Sequence, residues 1–354
     1  MKLEEFYKKS SSKLLNFLEK CSKSEIKINL ENSLMFHPRD LPTPAQVQKL
    51  YPLSFETRKK VLDSRRKFQQ FETYKKALFV GPCSIHHLPS DLLLGKKIND
   101  LQQEFPEFFF LYRCHLEKPR SNHFWRGFLM DPDLNGECAI EKGIEYGRRF
   151  MVELVDMGLN LSYEFIDPFL APYVEDLVTV GMIGARTVYS QTHRQLAASL
   201  KLPVVFKNGI DGSLEGAIDA LYMAQKGLWS PKMGPYGPQL VFEQNLETHM
   251  MLRGGFKGPN LDLLSHGFLA IQKRGLNSKI FIDCAHQNSL KDPERQKKLF
   301  QTYLFDETAP IHGLMAECHL QEGNQPFSKD AKGGLSITDP CIGLSNFLEC
   351  FIRR

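Results

Sequence analysis

Eight short apolar segments, each followed within a few residues by a polar or reactive side chain, constrain this chain more than any other feature. The segments are 77–80, 108–112, 161–165, 181–185, 203–206, 249–252, 279–282 and 311–316, and the residues at or just beyond their ends are Cys83, Arg113, Glu164, Arg186, Lys207, Arg253, His286 and Glu317. Helix-like stretches such as 193–200, 215–226, 261–274 and 293–305 separate most of them. Strands alternating with helices imply βαβ units and a parallel sheet. Eight such units close into a (β/α)8 barrel of about 250 residues, whose site is built from the C-terminal ends of several strands. The expectation is therefore an α/β protein, a (β/α)8 barrel over residues 71–354 with loop insertions at 115–141 and 229–247.

Residues 1–70 read differently. Charge is dense (Glu4, Glu5, Lys8, Lys9, Lys59, Lys60, Arg65, Arg66, Lys67), and prolines 38, 42 and 44 break any helix between the two ends of the segment. The region is expected to be an extension that packs on the barrel or on a neighbouring subunit, with Leu14, Phe17 and Leu18 as apolar contacts.

Composition narrows the classes. The chain has 354 residues, 42% hydrophobic, enough for a large core, and a net charge of +4 spread without a basic face, which argues against nucleic acid. No run approaches the ~18 apolar residues of a membrane helix, and the N-terminus lacks the apolar stretch of a secretory signal. The eight cysteines (21, 83, 114, 138, 284, 318, 341 and 350) form no CxxC pair. A cytoplasmic protein without structural disulfides is expected.

Two constellations carry the chemistry. Cys83, His286, Glu317 and Asp339 supply a thiolate, an imidazole and two carboxylates; three end the first, seventh and eighth strands, which are adjacent or nearly so in a closed barrel. Such a set suits one divalent first-row metal (Mn, Fe, Co or Zn) and does not suit Mg or Ca. Taken singly, a Cys after a strand is ordinary inert packing and a lone His an ordinary hydrogen-bonded loop residue. Arg113, Arg186, Lys207 and Arg253 would gather at the same rim, with Lys118 and Arg120 in the insertion that follows the second strand. Arg forks and Lys point charges bind carboxylate and phosphate, so one or two phosphorylated substrates are implied. The alternative for each cation is an ion pair with Glu164, Asp211 or Glu117.

Eight strings, in order from about residue 77 to 343, resemble the class I 3-deoxy-D-arabino-heptulosonate 7-phosphate (DAHP) synthases: GPCSIH at 81–86, EKPR at 117–120, IGART and SQTHR at 183–194, FKNGIDG at 206–212, LRGG at 252–255, IDCAHQNS at 282–289, AECHLQEGNQ at 316–325 and SITDPCIG at 336–343. The resemblance implies a metal-dependent aldol-type condensation of phosphoenolpyruvate with erythrose 4-phosphate, the entry step of the shikimate pathway to chorismate and aromatic amino acids. It implies metal ligation by Cys83, His286, Glu317 and Asp339. It implies phosphoenolpyruvate contacts from Arg113, Lys118, Glu164, Ala185, Arg186, Lys207 and Arg253, and erythrose phosphate contacts from Arg120 and Ser121. Lys118 is the candidate proton donor and His286 the alternative. Departures are Ser121 where the family usually has Thr, Gln287 where it has Ala, Leu335 where Lys is common, and an unusual stretch at 233–238 in the second insertion. The resemblance further implies an aromatic amino acid as effector and a homodimer or homotetramer. Arabinose 5-phosphate as the sugar is disfavoured by Pro119, because its synthases carry a KANR-like string there; a Schiff-base role for Lys207 is disfavoured by its cationic neighbours. Cys341, two residues after Asp339, is expected to pair with Cys83 on oxidation. Mass spectrometry of oxidised protein without an 83–341 bridge would remove that idea.

Overall fold

The computed structural model describes residues 39–120, 124–234 and 237–352. Its parallel strands are β1 (Lys76–Gly81), β2 (Phe108–Arg113), β3 (Leu161–Glu164), β4 (Val180–Ile183), β5 (Val204–Lys207), β8 (Thr248–Leu252), β9 (Ile280–Asp283) and β10 (Gly313–His319). They pair in chain order, and β1 closes on β10 with Ala77 opposite Gly313 and Gly81 opposite Glu317. The result is the closed (β/α)8 barrel expected from the alternation. A hairpin of β6 (Leu228–Gly234) and β7 (Gly237–Glu243) stands between β5 and β8, within the second insertion. A short β11 (Ile342–Gly343) adds to the end of β10, opposite Cys318 and His319.

Period-two alternation divides each strand between two cores. Phe79, Phe109, Leu111, Val180, Met182, Val205, Met251, Phe281 and Met315 fill the barrel interior. Leu78, Val80, Phe110, Tyr112 and Ile282 face the surrounding helices. Those helices are α3 (Leu88–Glu104), α4 (Ile140–Asp156), α5 (Gln191–Ser199), α6 (Glu215–Lys226), α7 (Leu264–Lys273) and α8 (Pro293–Leu304). Two more precede β1: α1 (Pro44–Leu50), started by a Thr43 capping box with Pro44 in its first turn, and α2 (Phe55–Gln69), capped by Ser54.

Near its C-terminal end α2 turns Phe68 inward, fully buried, with its ring 5.8 Å from Phe109, 6.0 Å from Phe281 and 6.4 Å from Phe79. It caps the end of the interior opposite the reactive residues. Among the described residues no helix is long and apolar enough to cross a membrane. Phe68→Ala would leave a cavity among rings that cannot collapse together. It is expected to lower unfolding free energy by about 3–5 kcal/mol, measured by denaturant melts; a loss below about 1 kcal/mol would contradict this account of the plug.

Candidate active site

The interior parity of the strands does not stop where the strands do. Phe79 and Gly81 lead to Cys83, Phe109 and Leu111 to Arg113, Val205 to Lys207, Met251 to Arg253, and Met315 to Glu317. Apolar filler gives way to charge along the same face, so these side chains reach one end of the barrel. There they line a cavity of about 250 Å³ with Lys118, Arg120, Glu164, Ala185, Arg186, His286 and Asp339. Ser121 lies outside the described residues. A larger crevice, about 370 Å³, opens elsewhere between α2 and β2, but its charged residues Lys60, Asp63 and Lys67 are not buried.

Cys83, Glu317 and Asp339 bring one donor atom each within 4.8 Å of one another. His286 stands beside this trio, its Nε2 3.9 Å from Glu317 Oε1. Asp339 reaches the group because the chain returns along β10 to form β11 and because Ser84 and Thr338 share a 3.0 Å hydroxyl hydrogen bond. Three observations fit a divalent metal here. Glu317 Oε2 is buried with no hydrogen-bond partner among the described residues. Burial, then the Glu317 charge, pushes the Cys83 thiol up, so a thiolate there needs a compensating cation. Asp339 is already ionised: burial would raise it, but His286, Lys291 and Lys118 hold it down at about 2.

The cations are tied in place. Arg113 and Glu317 form a fully buried ion pair at 2.8 Å. Lys118 Nζ donates to the Cys83 carbonyl at 2.8 Å and lies 3.3 Å from its sulfur. Burial disfavours the Lys118 charge, but Cys83, Glu317, Glu164 and Asp339 outweigh it and raise the amine. Arg120 Nε donates to the Trp125 carbonyl at 3.0 Å. Burial lowers Arg253, and Asp283 opposes that effect.

Several residues that matter here were given no role in the motif reading. Asp283 follows Phe281 on the interior face of β9, and its Oδ2 lies 3.2 Å from Lys207 Nζ and 2.7 Å from His286 Nδ1. Burial would raise Asp283, but His286 and Lys207 hold it well below the usual carboxylate range. An anion beside Nδ1 favours the proton there and leaves the Nε2 lone pair toward Glu317, the arrangement that orients imidazole ligands. Lys291 pairs with Asp339 at 2.9 Å. His115 continues the Phe109–Leu111–Arg113 parity and is buried behind Glu164. The two-residue alternation, extended past the strand ends, would have flagged Asp283 and His115; Lys291 lies in a turn before α8 and had no such signal.

A closed parallel barrel that gathers a thiol, an imidazole and two carboxylates beside a cluster of Arg and Lys defines a class of barrel enzyme built to act on anionic substrates. The DAHP synthetase I family matches residues 64–346, and the chain belongs to that family. It is 35% identical over 316 residues to the Tyr-sensitive phospho-2-dehydro-3-deoxyheptonate aldolase of Escherichia coli K12, covering 85% of this chain and 88% of that one. It is 36% identical over 335 residues to the tyrosine-inhibited enzyme of that name from Schizosaccharomyces pombe, covering 89% of each. The structure of the Francisella tularensis SCHU S4 aldolase of the same name superposes with a TM-score of 0.85 at 30% identity, covering 89% of this chain and 96% of that one.

Glu117, beside Lys118, yields a pH prediction. Its carboxylate accepts from Tyr163 Oη at 2.8 Å and from the Asp167 amide at 3.0 Å, yet burial dominates and pushes it from 4.5 up to about 7. The folded chain thus holds a proton that the unfolded chain has released. The stability this contributes is complete below about 4.5 and is lost as pH rises through about 7. Glu117→Gln should flatten that fall, on the order of 3 kcal/mol between those limits. Buried Asp91, also raised to about 7, retains a slope of the same sign. Melts from pH 4 to 8 check this; an unchanged slope in Glu117→Gln would contradict it.

Proposed function

We propose that this chain condenses phosphoenolpyruvate with erythrose 4-phosphate and water, releasing DAHP and inorganic phosphate. The observation that carries the reading is the convergence of Cys83, Glu317 and Asp339, with His286 beside them, on a cavity also lined by Arg113, Lys118, Arg120, Arg186, Lys207 and Arg253. Membership of the family supports it.

A divalent metal held by Cys83, His286, Glu317 and Asp339 would supply Lewis acidity toward the aldehyde oxygen of the sugar. Arg113, Arg186, Lys207 and Arg253 hold the carboxylate and phosphate of phosphoenolpyruvate and present its C3 to the aldehyde carbon. Arg120 and Ser121 hold the far phosphate of the sugar. Lys118, kept cationic by the charges around it, delivers the proton that the aldehyde oxygen takes up as the carbon–carbon bond forms; His286 is the alternative donor. Glu164, the pocket carboxylate outside the donor set, orients the water that adds at C2 and takes one of its protons; the C2–O bond to phosphate then breaks, phosphate leaves with the electron pair and the hydroxyl proton, and C2 becomes the ketone. Ala185 packs beside the phosphoenolpyruvate. An aromatic amino acid is the proposed effector, since relatives in E. coli are named Tyr-sensitive and Trp-sensitive.

Phosphate release with phosphoenolpyruvate and either erythrose 4-phosphate or arabinose 5-phosphate tests the reading. Release with the four-carbon sugar alone is expected, with slowing by tyrosine or tryptophan. Release with arabinose 5-phosphate alone would overturn the substrate, and a rate indifferent to tyrosine, tryptophan and phenylalanine would remove the effector. Lys118→Met should lower kcat about 10²-fold or more; near-normal turnover at saturating substrate would transfer the proton role to His286.

A further inference from the structure

His115 is a buried polar side chain beside the pocket that the reaction above leaves without work. It is 1% exposed, and neither ring nitrogen has a hydrogen-bond partner among the described residues. A buried polar group left unsatisfied is costly, so its place beside the pocket calls for an explanation. Its backbone is fixed, because its carbonyl accepts from the Ile85 amide at 3.1 Å in the loop that carries Cys83. Its Nδ1 faces Glu164, 3.8 Å from Oε2.

Glu164 itself has little room. Its Oε1 occupies space that Gly184 leaves vacant: a Cβ at Gly184 would stand 2.1 Å from that oxygen. The carboxylate is thus confined between Gly184 on one side and His115 on the other, with the cavity in front. A carboxylate only accepts hydrogen bonds, so the nitrogen that faces it must carry the ring proton. We propose that His115 is a positioning residue, donating from Nδ1 to Glu164 Oε2 and so fixing the direction in which that carboxylate meets the bound water. The 3.8 Å separation exceeds the 2.7–3.2 Å of a formed bond; with Glu164 held against Gly184, a small turn of the His115 ring closes it, as catalytic contacts tighten when substrate binds. Burial, with the charges of Arg113, Lys118, Lys207 and His286 around it, holds His115 well below its ordinary range, consistent with a neutral donor. This inference rests on the role given to Glu164 above.

Two measurements test it independently. Nitrogen NMR of histidine-labelled protein, with the His115 signal assigned by its loss in His115→Gln, should show the Nδ1–H tautomer, and Glu164→Gln should shift that signal. An Nε2–H tautomer, or a signal indifferent to Glu164→Gln, overturns the contact whatever the enzyme's substrate. The kinetic cycle joins His115→Phe, Glu164→Gln and the double variant. Each single change should lower kcat about tenfold, with KM for erythrose 4-phosphate within about twofold, and the double variant should fall no more than about twofold below Glu164→Gln alone. His115→Asn, which keeps a donor, should recover part of the loss and carries the cycle if His115→Phe does not fold. Multiplicative losses in the double variant would overturn the proposal. Failure of the unsubstituted protein to release phosphate would instead overturn the reaction assigned above, leaving the NMR result to decide the contact.

Discussion

Everything at the site depends on the seam where β1 meets β10. Parallel pairing of Ala77 with Gly313 through Gly81 with Glu317 brings the first and last strands of the barrel together. It sets the Cys83 loop beside Glu317 although more than two hundred residues separate them in the chain. The seam has one strict steric condition: a Cβ at Gly313 would lie 2.1 Å from the Ala77 carbonyl oxygen. Glycine there lets the backbones approach to pairing distance. Without closure, three donors on the first and last units would have no reason to share a volume a few ångströms wide.

The charges around the site are arranged as pairs before any substrate arrives. Arg113 lies on Glu317, Lys207 on Asp283, Lys291 on Asp339, and Lys118 on the carbonyl and sulfur of Cys83. Burying two ions is expensive, and a buried pair is a weak argument for stability. Its value here is orientation. Each cation holds one face of an anionic or thiol donor and so directs another face inward. Glu317 illustrates this: Oε1 is engaged by Arg113, and Oε2 is left buried and unpartnered. The lysines and arginines thus restrain the donor set as well as lining the pocket.

Much of this was legible in the sequence, for a physical reason. Parallel barrel strands are short, apolar and terminated where they emerge from the core, so the change from Phe, Val and Met to Arg, Lys and Glu marks the rim. Arg113, Glu164 and Lys207 end their strands as read, whereas Glu317 lies inside β10, which continues to His319 because β11 prolongs its pairing. The hairpin is the insertion seen at 229–247, now resolved into paired strands Leu228–Gly234 and Gly237–Glu243. Asp283 and His115 escaped because motif reading stopped at one reactive residue per strand, although the same parity passes through both. Phe68 escaped because a single aromatic residue in a charge-dense helix gives no sign that it fills the far end of a barrel. The position of Ser121 lies outside the described residues, and its phosphate contact is still a proposal.

The central claim is that closure builds a single metal site from Cys83, His286, Glu317 and Asp339. Its most direct test is a titration of chelator-stripped protein with Mn²⁺, with bound ion per chain measured by equilibrium dialysis and elemental analysis. The account predicts about one ion per chain, with affinity reduced about tenfold or more in folded Cys83→Ser and Asp339→Asn proteins. A folded protein that binds no ion, or that binds it equally well after both substitutions, would contradict it.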